Sequence, residues 1–179
     1  KDWRALIIGD EKREKILLNH KNASVLGFKK HSEVVNIFKK TSITVACSRW
    51  EEPFGRTSLE ASANGCAVII TNRGGLPETV TDARILKNLS EKNLTKEISN
   101  LINDEKLRKS LQSRSIKNFY LTHKYVSQKI DDYRSEKLSL GKTFYLKSKN
   151  KKLRILHVTN FNERLDGRLF FNTGRRINN

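Results

Sequence analysis

Short apolar runs alternate with segments of helical period along most of the chain. Ala5–Ile8, Ala23–Leu26, Ile43–Cys47 and Cys66–Thr71 are nearly continuous in apolar or β-branched residues and too short for helices. Each predicts a buried strand, and Ala83–Leu86 predicts a short final one. The segments between them predict helices. One covers Glu11–Leu18. A second starts at Ser32 as N-cap and turns Val34, Val35, Ile37 and Phe38 to one face. A third covers Arg56–Asn64, with Gly65 as the residue that ends it. Gly74-Gly75-Leu76-Pro77 predicts a turn that enters a short helix at Glu78. Over 91–140 the apolar residues Leu94, Ile98, Leu101, Ile102, Leu107 and Leu111 keep helical spacing. Phe119, Tyr120, Tyr125, Ile130 and Tyr133 continue it. This predicts amphipathic helices packed on the sheet, with the aromatic positions in the core.

Apolar strands separated by helices define an α/β class: a doubly wound parallel sheet covered on both faces. Ligands of such sheets bind outside the carboxyl ends of the strands. That rule selects the loops 27–31, 48–55 and 72–78. Residues 141–152 have the composition of a linker. Leu153–Val158 predicts a new strand, and 153–179 the incomplete start of a second Rossmann-like domain.

The 179 residues suit one domain of ordinary size. No apolar run approaches the ~18 residues of a membrane span, and the first residues lack the apolar stretch of a secretion signal. Cys47 and Cys66 lie in apolar runs, so buried, reduced thiols and a cytoplasmic setting are expected. The net charge of +17 allows a phosphate-rich partner, including peripheral contact at the inner face of a membrane. The charge is spread along the whole chain beside abundant Asn, which favours composition bias and a solvated surface. No nucleic-acid-binding motif is present, so no specific nucleic-acid partner is expected. The chain contains no Met, which fits a piece of a longer protein.

The chemistry concentrates in Ser48-Arg-Trp-Glu-Glu-Pro-Phe-Gly-Arg-Thr-Ser-Leu-Glu60, at the passage from strand to helix. Phe54, Gly55, Arg56 and Thr57 stand at the helix start, whose free N–H groups attract phosphate. Glu52 precedes that start and Glu60 lies about two turns into the helix. Carboxylates repel phosphate but accept hydrogen bonds from sugar hydroxyls. An anion site with a hydroxyl acceptor on either side suits a sugar–diphosphate–ribose ligand. Two solvated charges explain the spacing equally well.

The Glu52…Glu60 pair, the surrounding Glu-Pro-Phe-Gly-Arg-Thr-Ser-Leu-Glu-Ala-Ser-Ala-Asn-Gly and the later Gly74-Gly-Leu-Pro-Glu78 resemble the donor-binding domain of retaining glycosyltransferases. These are the group 1 (family 4) enzymes with the two-domain GT-B fold. The resemblance covers roughly residues 3–135, within a domain placed at 1–140 that lacks the family's first strand. It implies transfer of a sugar from a nucleotide-diphosphate sugar with retention of configuration. Glu60 would bind the donor ribose. Glu52, as the catalytic carboxylate, would bind the transferred sugar. Backbone N–H groups of Phe54, Gly55, Arg56 and Thr57 would hold the diphosphate. Phe28 and Lys29 would lie against the base, Arg73 and Glu78 would border the sugar end, and Gly74 and Gly75 would be substrate-binding residues of the same loop. Family members often have an apolar residue where Arg56 stands, so Arg56 is either an added phosphate ligand or a surface charge. No Asp-x-Asp motif is present, and neither a metal nor a separate cofactor is expected.

The family's upstream diphosphate-clamping cations and its N-terminal acceptor domain lie outside this sequence, so the fragment alone is expected to be inactive. Base, sugar and acceptor (glycan, lipid or protein) stay open. Lys152–Phe161 and Asp166–Asn179 resemble the opening of another GT-B N-terminal domain. The competing reading is a basic, non-catalytic module binding RNA or anionic lipid.

Overall fold

The structure is a computed structural model that describes residues 3–10 and 17–140, the side chains of 138–140 aside. Its contacts divide the chain into Lys1–Tyr133 and Arg134–Asn179. The predicted linker 141–152 and second domain 153–179 fall outside the described residues, as do residues 11–16 of the first predicted helix; Leu17 and Leu18 lie in no helix.

Within the first unit the elements run β1 (Ala5–Ile8), β2 (Ala23–Gly27), α1 (His31–Phe38), β3 (Ile43–Ala46), α2 (Arg56–Ala63), β4 (Ala67–Thr71), a 3-10 turn (Leu76–Thr79), β5 (Ala83–Leu86), α3 (Glu91–Asn103) and α4 (Glu105–Lys117). A further helix, α5 (His123–Leu140), begins in this unit. All strand pairs are parallel, as the apolar runs predict. They form two sheets, however: β1-β2 and β3-β4-β5. Among the described residues β1 pairs only with β2, and β3 only with β4. Each of these edge strands carries an open apolar side chain, Leu6 at 48% and Val45 at 41% exposure.

β4 is the centre of the core, and every one of its residues is buried. Its period of two sends side chains to opposite faces. Cys66, just before the strand, Val68 and Ile70 pack with Phe38, Ala61 and Leu76. Ala67 and Ile69 pack with Leu86, Leu101 and Leu111. The sheet is thus covered by α1 and α2 on one side and by α3 and α4 on the other. Arg108 is buried at the junction of α3 and α4, where Nη1 donates to the carbonyls of Leu101 (2.6 Å) and Ile102 (3.1 Å). A cation there satisfies carbonyls left open at the end of α3.

Two local expectations change. α1 starts at His31 rather than after Ser32. The side chain of Glu33 accepts from the Lys30 N–H at 2.9 Å, so a carboxylate three residues in fixes the start without a Ser cap. Of the positions after 118, Phe119 is half-buried, and Tyr120, Tyr125, Tyr133 and the aliphatic Ile130 are not core, at 38–60% exposure. Helical spacing shows that residues share a face but not that the face is covered. Tyr120 and Tyr125 instead meet edge to face, with centroids 5.0 Å apart.

Candidate functional site

The end of β3, the 48–55 loop and the start of α2 border an open cleft of about 510 Å³. It is lined by Val45–Ser48, by Glu52–Thr57 and by Leu76. Gly55 opens the helix at φ +89°, a left-handed conformation that favours glycine. A Cβ there would lie 2.6 Å from Leu76 Cδ2. The first turn of α2 contains no carboxylate. It carries Arg56, and the N–H groups there have no partner within the helix. The turn is held from below by Ser58, whose buried hydroxyl donates to the Gly55 carbonyl (2.8 Å) and lies 2.7 Å from the Thr79 hydroxyl. Ser48 anchors the other end of the loop. Its N–H donates to Thr71 Oγ1, and that hydroxyl donates back to the Ser48 carbonyl, both at 2.9 Å.

Glu52 and Glu60 are both half-buried. The indole Nε1–H of Trp50 donates to Glu52 Oε2 at 2.9 Å. Glu60 Oε1 receives Arg56 Nη2 from the same helix at 3.1 Å, and lies 3.1 Å from His31 Nε2 at the start of α1. Arg56 is thereby an ion-pair partner of Glu60 as well as a cation on the cleft wall.

Phe54, Gly55, Arg56 and Thr57 line the cleft with Glu52. Phe28 and Lys29 stand just before α1, next in sequence to Lys30 and the Glu60 partner His31. Phe28 is 76% exposed. Gly74 and Gly75 play a role that sequence reasoning missed: they pack backbone to backbone against the loop carrying Glu52. The Gly75 N–H donates to the Glu52 carbonyl at 2.7 Å. A Cβ on Gly75 would meet the Pro53 carbonyl oxygen at 2.7 Å.

Glu51 completes this clasp. Its carboxylate accepts from Arg73 Nη1 at 2.9 Å and from the Gly74 N–H at 2.5 Å. Arg73, and then the Gly74 N–H, hold its carboxyl below the usual range. Nothing in the sequence separates the role of Glu51 from that of Glu52 beside it. Cys47 and Cys66 are free thiols, the first half-buried and the second buried. Burial pushes both thiols up. Among the described residues no cluster of His, Cys, Asp and Glu could hold a metal ion, and no helix is long and apolar enough to cross a membrane.

A parallel α/β sheet with a cleft at a strand's carboxyl end, an open helix start and two held carboxylates defines the class: a Rossmann-like α/β domain with its candidate site at the carboxyl edge of the sheet. The family can be named more closely. Residues 1–118 match the family Glycosyl transferases group 1, and the chain belongs to it. It is 38% identical over 120 residues to an uncharacterized glycosyltransferase, MJ1178, of Methanocaldococcus jannaschii, covering 62% of this chain and 34% of that one. It is 30% identical over 63 residues to spore coat protein SA of Bacillus subtilis, covering 35% and 17%. The chain therefore spans about a third or less of the length of these relatives. Among solved structures, Anabaena Alr3699/HepE in complex with UDP-glucose aligns with TM-score 0.57 at 20% identity. That alignment covers 76% of this chain and 41% of the other. The fold is that of a GT-B, Rossmann-like domain.

Proposed function

We propose that this chain is the C-terminal, donor-binding part of a retaining, family 4-type glycosyltransferase that takes its sugar from a nucleotide-diphosphate sugar. The observation that carries the reading is the placement of two held carboxylates, Glu52 before the start of α2 and Glu60 within it. Between them lie the open N–H groups and the Arg56 cation that suit a diphosphate. The family membership and the UDP-glucose complex of a protein with the same fold support it. In this reading Glu60 accepts from the ribose hydroxyls and Glu52 from those of the transferred sugar. Phe28 and Lys29 lie by the base. The diphosphate leaves as its charge develops against backbone dipoles and cations. Acceptor recognition belongs to parts of the enzyme beyond these residues, and this chain alone transfers no sugar.

Calorimetry tests the assignment. Glu60→Ala should weaken UDP binding about tenfold or more, since a hydrogen bond to a charged acceptor is worth on the order of 1.5–3 kcal/mol. Glu52→Ala should leave UDP nearly unchanged and weaken UDP-glucose. Equal losses of UDP affinity in both variants would remove the assigned roles. The competing reading on the +17 charge is a basic surface for RNA or anionic lipid. That binding would fall steeply with salt and ignore Glu60.

A further inference from the structure

We propose that Trp50 is a sugar-recognition residue of the donor site: it orients Glu52 through its indole N–H and offers its ring as the apolar wall for the sugar. The inference rests on the nucleotide-sugar reading above and goes beyond it, since neither the family motif nor the carboxylate pair calls for an aromatic residue here. Trp50 is 73% exposed, the second most open aromatic ring among the described large hydrophobic residues after Phe28. A tryptophan normally buries most of its large apolar surface; Trp50 lies outside the cleft's own lining, stays open, and is tied to the site through the lining residue Glu52.

The ring is not loosely placed. Ser48 Oγ donates to the Trp50 carbonyl (3.0 Å) and accepts from the Trp50 N–H (3.2 Å), which fixes the backbone. The Nε1–H···Glu52 Oε2 bond of 2.9 Å fixes the indole. That bond uses one carboxylate oxygen and leaves Oε1 for a ligand. The N–H lies in the indole plane, so the bond leaves both ring faces unused. A hydroxyl bonded to Oε1 at about 2.7 Å would bring its sugar beside the indole. A pyranose suits this pair, with hydroxyls for the carboxylate and a C–H face for the ring.

The test compares a nucleoside diphosphate with its sugar ester, by calorimetry on the protein. UDP, GDP and ADP are titrated first, and the tightest is compared with its glucose and N-acetylglucosamine esters. The quantity read is the ratio of the two dissociation constants, which isolates the sugar. Trp50→Ala should shift this ratio against the sugar ester by about fivefold relative to the unsubstituted protein, with affinity for the bare diphosphate kept. Trp50→Phe, which keeps a ring but loses the N–H donor, should shift it about two- to threefold. An unchanged ratio in Trp50→Ala overturns the proposal. So does equal weakening of diphosphate and ester, which would mean that Trp50 only supports the loop. Failure of the unsubstituted protein to bind any of the three diphosphates would remove the nucleotide-sugar reading itself, before any variant is made.

Discussion

Replacing Gly74 with Ala puts a methyl group into the backbone of the loop that carries Glu52. Gly74 has φ +50°, and its Cβ would fall against the Glu52 carbonyl oxygen, 2.7 Å from the Glu52 nitrogen and 2.9 Å from the Glu51 carbonyl carbon. None of these is the movable end of a side chain. The left-handed conformation alone costs Ala roughly 1–2 kcal/mol. Shifting a packed loop adds on the order of 1–2 kcal/mol. The smaller entropy of the unfolded chain returns about 0.4–1 kcal/mol. The net expectation is a loss of about 2–3 kcal/mol. For a chain of this size it corresponds to a melting temperature lower by roughly 4–12 °C. Gly27→Ala is the control: its φ is +63°, and its Cβ would meet nothing within 4 Å. It meets the conformational cost without the collision, so its loss should be about 1 kcal/mol or less. Urea unfolding of both variants gives the difference, and calorimetry with UDP and UDP-glucose reads the site. On the proposed reading of Glu52 as the sugar-binding carboxylate, Gly74→Ala should weaken UDP-glucose more than UDP, because the displaced atoms belong to Glu52. A Gly74 variant as stable as the Gly27 variant would refute the close packing of the two loops.

Two further outcomes follow from titrating groups. Burial raises the pKa of Cys47 and Cys66, so both thiols should react slowly with a disulfide reagent at pH 7–8 in the native protein and rapidly once it is unfolded; mass spectrometry without reductant should count two free thiols in residues 1–140. The folded-state pKa of Glu51 is depressed by Arg73 and the Gly74 N–H, so its stabilising contribution is complete above its unfolded pKa and lost as pH falls through the lower folded value. The stability difference between the protein and Glu51→Gln should therefore be constant near neutrality and shrink below about pH 4, and a difference that persists at pH 2–3 would show that the carboxylate charge is not what holds Arg73 and Gly74.

Most of the fold was legible because burial on both faces leaves a plain signal. β4, buried throughout, appears in the sequence as an apolar run, and Gly65, at φ +78°, ends α2 as its position suggests. What stayed hidden depended on contacts between distant segments. Periodicity could not reveal that β1-β2 and β3-β4-β5 form separate sheets, because strand pairing is settled by three-dimensional neighbours. It could not distinguish a covered aromatic face from the open one at Tyr120–Tyr133. The site divides in the same way. That Glu52, Gly55, Arg56 and Thr57 line one cleft was readable because one short strand-to-helix passage holds them all. The supports of that passage come from elsewhere: His31 reaches Glu60 from α1, and the Gly74-Gly75 turn clasps the loop through Glu51 and backbone contact. The two glycines read, as sequence, as part of a substrate-binding loop. Their geometry gives them a prior task, since a loop pinned by Gly75 N–H and by Ser48 on Thr71 leaves Glu52 little freedom. A carboxylate that must meet one hydroxyl of a ring works best when its backbone is already fixed. In this domain that fixing falls to the Gly74-Gly75 backbone, to the Ser48–Thr71 pair and to the Glu51–Arg73 ion pair.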